Sequence, residues 1–278
     1  TYGRIPRGPG IILGNATSVE GSVSRSVRDS ARFLDVTNGF DLDDPKSLPR
    51  VEGYEKNLGT HIEEIRTLRV AVVPGLGCAT VGPESEELIR AAAEELIAIT
   101  GMRRVDINLR LPNIMGAWGL TGTVGTRKSL GDLWPDCGAD ITGAMRVGIE
   151  RAEANFDLNT MVKAETRRVE LNTAMAAMFA DADIVLAATN PATAFNAEGH
   201  LPSTFEGVEA RSSNNGALTA PSNIFGNPAA ALPVGLASDG LPVSLQILAP
   251  HYREELLLDL GRAWELHRPW PLLAPLTN

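Results

Sequence analysis

Three runs, each too short for a helix, decide which folds are open to this chain. Leu68-Arg69-Val70-Ala71-Val72-Val73 and Asp183-Ile184-Val185-Leu186-Ala187-Ala188-Thr189 are near-continuous and rich in branched side chains, the pattern of strands buried on both faces. Val105-Asp106-Ile107-Asn108-Leu109 alternates instead and reads as a further strand. Between the first run and Val105 lies a helical stretch. Pro83 stands at its first turn, Glu84, Glu86 and Glu87 favour the positive end of the dipole, Leu88, Ala92 and Leu96 share one face, and Gly101 ends it. Strand, helix and strand form a βαβ unit, which predicts a parallel pair with a right-handed crossover.

The remaining elements follow the same logic. Ser24 or Ser26 can cap a helix whose apolar face is Val27, Ala31, Phe33, Leu34 and Val36, closed by Gly39. Residues 112–180 read as mainly helical. They open on the small, apolar stretch from Pro112 to Leu120, and close on an amphipathic helix over Asp157–Met178 with Leu158, Met161, Val162, Val169, Ala176 and Phe179 on its apolar side. A polar loop of about 25 residues follows Asn190-Pro191, long enough to suggest a function of its own. Ala229–Gly235 and Leu241–Leu248 then read as strands joined by a Ser238-Asp239-Gly240 turn. A last helix, Arg253–His267, carries Leu256, Leu257, Leu260 and Trp264 inward and stops before Pro269 and Pro271.

A chain of 278 residues can bury a sizeable core, and we expect one domain over residues 1–278. Its net charge of −9 and only four lysines argue against nucleic acid or an anionic membrane as partner. No apolar run approaches the ~20 residues that span a bilayer, and the expected compartment is the cytoplasm. Cys78 and Cys137 stand apart, without the spacing of a zinc site or a disulfide framework. The Gly75-x-Gly77 turn lacks the third glycine of a dinucleotide fingerprint, since Thr80 stands there. Asp41, Asp43 and Asp44 lack the alternation of a calcium loop. Met161, Met175 and Met178 read as core fillers. Neither a G-x-S-x-G elbow nor an S-x-x-K pair occurs. Cys78 could be a thiolate at a helix start, but no histidine is near it in sequence, and His61, His200, His251 and His267 lie at loops or helix ends.

Several stretches together resemble the amidase-signature family. Thr1-Tyr2-Gly3-Arg4 leads through Ile11-Ile12-Leu13-Gly14 to Ser18-Val19-Glu20-Gly21 and a helix opening Arg25-Ser26-Val27-Arg28-Asp29, like the segment that follows that family's Gly/Ser-rich catalytic loop. Asn223-Ile224-Phe225-Gly226-Asn227-Pro228-Ala229 is similar to its Asn-x-x-Gly-x-Pro-Ala run. Asp239-Gly240-Leu241-Pro242-Val243-Ser244-Leu245-Gln246 is similar to its Asp-Gly-Leu-Pro-x-Gly-x-Gln hairpin, with Ser244 in place of the usual glycine. The resemblance implies an α/β fold, an α/β/α sandwich around a mixed sheet, of which this chain is the C-terminal three fifths. It implies hydrolysis of carboxylic amides by a Ser-(cis-Ser)-Lys triad, with no metal or organic cofactor.

In that family the triad precedes the Tyr-Gly-Arg segment, so no catalytic residue is expected in this chain and the chain alone is expected to be inactive. What it would contribute is pocket wall: Asn215, Gly216, Thr219 and Asn223 by position, and Trp118 by analogy with relatives that take hydrophobic amides. Expected partners are a small-molecule amide, a second copy of the chain, or the missing N-terminal part. The alternative is a non-catalytic binding or scaffold protein built on an amidase remnant, with a nucleotide-binding α/β protein a distant third.

Overall fold

The computed structural model describes residues 1–7 and 17–273. The Ile11–Gly14 run lies outside them, as does the side chain of Trp118. Helix α1 (Val27–Thr37) and the single-turn α2 (Ile62–Ile65) precede strand β1 (Arg69–Val72), helix α3 (Pro83–Thr100) and strand β2 (Arg103–Arg104). Three helices follow: α4 (Met115–Leu130), α5 (Gly143–Asn155) and α6 (Leu158–Asp181). Then come strand β3 (Ile184–Ala188), a small hairpin of β4 (Thr204–Phe205) and β5 (Val208–Glu209), and helix α7 (Ala220–Phe225). Strands β6 (Ala229–Leu236) and β7 (Pro242–Leu248) and helix α8 (Glu254–His267) close the described chain.

The main sheet runs β2-β1-β3-β7-β6. β1 is parallel to β2 and β3, whereas β7 is antiparallel to β3 and β6. It is a mixed sheet flanked by helices. All five residues of β3 are buried, and Val185 and Leu186 sit at 0% exposure between ladders on both sides. Helices α3 and α8 pack on each other and on β6. Trp264, fully buried, donates its indole N–H to Pro233 O at 2.9 Å. Gly261 lets α8 approach closely, because a Cβ there would meet Val27 at 3.3 Å and Leu232 at 3.4 Å.

Several elements form for the reasons the sequence supplies. Ser26 caps α1 by accepting from the Asp29 amide at 3.1 Å. Gly101 ends α3 in the left-handed conformation at φ 73°. The Ala237 amide donates to Leu241 O across the Asp239-Gly240 turn.

Three expectations need correction. First, the second strand of the βαβ unit is Arg103–Arg104, not Val105–Leu109. Only the Val105 amide continues the ladder, to Val70 O. Second, the loop after Pro191 is not structureless, since it contains β4 and β5. Third, α6 is rotated from most of its expected face, though Phe179 does pack on the core. Leu158, Val162 and Val169 are 78%, 56% and 64% exposed, whereas Ala164, Leu171, Met175 and Met178 point inward. Met175 and Met178 are core fillers; Met161 is not. The alanines that seat α6 on its neighbours carried too little hydrophobic weight to mark the inner face.

The starts of β1 and β3 are pinned by a bidentate pair. Arg69 Nη2 and Nε reach Asp183 Oδ1 and Oδ2 at 2.8 and 3.1 Å, and the Arg69 amide also donates to Oδ2. Hydrogen bonds from Arg69 hold the Asp183 carboxyl below the usual carboxylate range. A carboxylate favoured in the folded state stabilises above its unfolded pKa, and the benefit is lost as pH falls through the folded value. Asp183→Asn should therefore lower stability by about 1–2 kcal/mol at pH 7. Urea titrations of the two proteins should converge as pH drops below about 4; a constant gap down to acid pH would refute the assignment.

Candidate pocket wall

Residues 212–225 form a 3₁₀ turn, Ser212–Gly216, followed by α7. Asn214 fastens this turn from inside. Only 5% exposed, it accepts from the Thr80 amide at 2.9 Å and donates to Thr80 O at 2.8 Å, copying one rung of a β-ladder with its side chain. That clamp joins the turn to the Gly75–Thr80 loop beyond the carboxyl end of β1. A second tie comes from the sheet, where buried Gln246 on β7 donates to Leu218 O at 3.1 Å and to Ala188 O at 3.5 Å.

The sequence-nominated residues occupy this wall unequally. Asn215 donates to Pro202 O and Ser212 O, holding the neighbouring loop. Gly216 lies under the first turn of α4, where an added Cβ would stand 2.8 Å from Met115 Cε. Thr219 is exposed at the start of α7, its hydroxyl 3.4 Å from Gly216 O. Asn223 turns the other way and donates to Thr17 O at 3.1 Å. Asn215, Gly216 and Thr219 thus share one short stretch, with Asn223 further along α7. Trp118 lies on α4, whose first residue makes the Met115 contact. Asn214 and Gln246 were not singled out beforehand. Gln246 had a signal, as the last residue of the Asp-Gly-Leu-Pro hairpin; Asn214, in a polar loop, had none.

The far end of α7 rests on the opening segment. The Tyr2 amide donates to Gly226 O at 2.9 Å. Gly3 takes φ 79°, and a Cβ there would fall 2.1 Å from Lys46 O, so only glycine fits. Arg4 is buried with Glu254 at 3.4 Å and donates to Pro49 O.

Several groups that could do chemistry are engaged elsewhere. Lys46 Nζ donates to the Tyr2 hydroxyl at 2.9 Å. His61 pairs with Asp259, His251 with Phe225 O, and His267 with Glu95. Burial pushes the Cys78 thiol up to about 11, which leaves it protonated and a poor nucleophile near neutral pH. Among the described residues, no group of three or more His, Cys, Asp and Glu could hold a metal ion, and no helix is long and apolar enough to cross a membrane. The hydroxyls of Thr189, just past β3, and Ser222, on α7, are buried without a partner. Such atoms ordinarily find one.

These features define an α/β scaffold with a polar, loop-built wall at one end of a mixed sheet. The sequence profile of the Amidase family matches residues 1–258, and the chain belongs to that family. A glutamyl-tRNA(Gln) amidotransferase subunit of Pseudomonas putida (strain GB-1) is 28% identical over 99% of this chain and 60% of its own length. An acylamidase of Rhodococcus erythropolis is 30% identical over 90% of this chain and 52% of its own. Among solved structures, a bacterial aryl acylamidase of the amidase-signature family superposes with a TM-score of 0.82 at 26% identity, covering 97% of this chain and 57% of that one. A 6-aminohexanoate cyclic dimer hydrolase, at 24% identity and a TM-score of 0.77, shares the fold; the match covers 97% of this chain and 60% of that one. The chain therefore spans about three fifths of the length of the relatives it matches.

Asn214→Ala leaves both Thr80 backbone groups without their partner. We expect a loss of about 2–3 kcal/mol, read as a lowered thermal midpoint. An unchanged midpoint would show that the clamp is replaceable by water.

Proposed function

We propose that this chain supplies the C-terminal three fifths of an enzyme that hydrolyses carboxylic amides. It would provide the scaffold and one wall of the pocket, while the nucleophile and base come from the part of the domain that relatives carry beyond the match. The observation that carries this reading is the family match over residues 1–258 in a chain that aligns with 60% of a relative's length. The two acylamidases support a carboxylic amide as the substrate class.

In such an enzyme a serine hydroxyl attacks the amide carbonyl, the amine leaves, and water releases the acyl group. The serine needs an adjacent base to act near neutral pH, which the family resemblance assigns to a neutral lysine through a bridging serine. Backbone amides of a Gly-rich turn would hold the developing oxyanion. On this reading Asn215, Gly216 and Thr219 bound the substrate, and Asn223 holds Thr17 beside α7. Gly216, with Met115 filling the space beside it, offers no charge to a substrate amine, which favours uncharged amides. The proposal includes neither metal nor organic cofactor, and the setting is cytoplasmic.

The surface suggests where the rest of the domain would meet this part. β6 is an edge strand, and its outward residues Ala229 and Ala231, with Gly235 and Leu236 at its end, are exposed. The outer face of α6 adds Leu158, Val162 and Val169. Unpaired edges and apolar rows of this kind favour association.

Two outcomes test the proposal. The purified 278-residue chain should give no turnover of simple aliphatic or aryl amides; clear hydrolysis would sink the division of labour. Light scattering should show self-association, and a monodisperse monomer would mean that the exposed edge and face need no cover.

A further inference from the structure

The turn of the β4–β5 hairpin breaks a local rule. Its two central residues are Glu206 and Gly207, at φ 49° and 86°. Such tight turns take Asn, Asp or Gly at the first position, because a longer side chain is strained at positive φ. Glutamate therefore stands there at a local energetic cost.

The length of the side chain accounts for its presence. The Glu206 carboxylate spans to the start of α3, where Oε2 accepts from the Glu84 amide at 2.7 Å and the Ser85 amide at 3.1 Å, and Oε1 accepts from the Ser85 hydroxyl. It takes up amides that have no partner within the helix, and its charge sits at the positive end of an 18-residue dipole. The cradle is shaped for it, since a Cβ at Gly82 would fall 2.4 Å from Glu206 Cδ.

Glu206 belongs to a longer segment with further ties, one of them from the Gly82 amide before α3 to Pro191 O at 2.7 Å. Near one end, Thr193 donates to Asp239 Oδ2 at 2.7 Å. In the middle, Pro202 O accepts from Asn215 of the pocket wall at 3.0 Å. Between these ties the segment exposes Phe195 at 50% and Leu201 at 56%.

Building on the pocket-wall assignment above, we propose that residues 190–211 form a strap latched to α3 by Glu206, and that Glu206 is a positioning residue for Asn215. With the latch closed, Pro202 O holds the Asn215 amide and so the shape of the Ser212–Gly216 turn. With the latch open, that turn loses its outer tie and is held by the Asn214 clamp and, just beyond it, by Gln246 on Leu218 O.

Hydrogen exchange on the whole chain tests this without any need for activity, so its failure and the failure of the amide-hydrolase reading are separable. In Glu206→Ala, exchange in 203–210 and 212–216 should rise about tenfold, while β3, β7 and the second half of α3 stay as in the parent. Glu206→Gln keeps the reach and an acceptor and should restore most of the protection. Glu206→Asn keeps the favoured turn chemistry but is one methylene shorter, and should not. Ser85→Ala, which removes a single donor, should give a smaller rise in the same two segments and serves if Glu206→Ala folds poorly. Unchanged exchange at 212–216, a uniform rise across the chain, or rescue by Glu206→Asn would each overturn the proposal.

Discussion

The structure depends on the complete burial of β3. Its five residues carry no polar side chain, and its backbone groups are satisfied by β1 on one side and β7 on the other. Buried backbone cannot be left unpaired, so both neighbours must be in place for β3 to exist. The sheet also changes from parallel to antiparallel on either side of this strand. At the carboxyl ends of β1 and β3 the chain leaves through the Gly75–Thr80 loop and the segment after Thr189. Ligands of open α/β sheets gather at such strand ends, and the candidate wall lies there.

The wall borrows its rigidity from distant parts of the chain. Asn214 copies backbone pairing with Thr80, Gln246 reaches up from the sheet, and Glu84 holds the β6–β7 turn by accepting from the Ser238 amide and hydroxyl. At the other end of α7, Tyr2 and Gly226 join the two stretches that carry the family resemblance, though more than two hundred residues separate them. Gly3 and Gly226 both sit at positive φ, at 79° and 86°, and close to neighbouring atoms. These glycines belong to the packing of one motif against the other.

The parts of this fold that were legible in the sequence depend on local chemistry. Pro83 and Gly101 mark the ends of α3, Ser26 caps α1, Asp239-Gly240 makes the hairpin, and unbroken apolar runs mark β1 and β3. What was not legible depends on partners far along the chain. The inner face of α6 is set by which neighbours its alanines and Met175 meet, not by where its largest apolar residues fall. How far β2 pairs is decided across the sheet, where the ladder ends with the Val105 amide on Val70 O. The Glu206-Gly207 turn violates turn preference and makes sense only once the start of α3 is beside it. Asn215, Gly216 and Thr219 were placed together through the family pattern, but Asn214, the residue that holds them, has nothing in its local sequence to distinguish it.

Gly261 has a consequence for how this domain could diverge. The hydrogen atom that serves as its side chain sets the height at which α8 rides over β6 and α1. Among its residues with distant partners are Glu254, to Arg4, Asp259, to the amides of Gly59 and His61, and Trp264, to Pro233 O. Raising the helix would pull on these attachments together. A drift at this position would therefore have to be met on two elements together, by Val27 on α1 and Leu232 on the edge strand giving way a few tenths of an ångström.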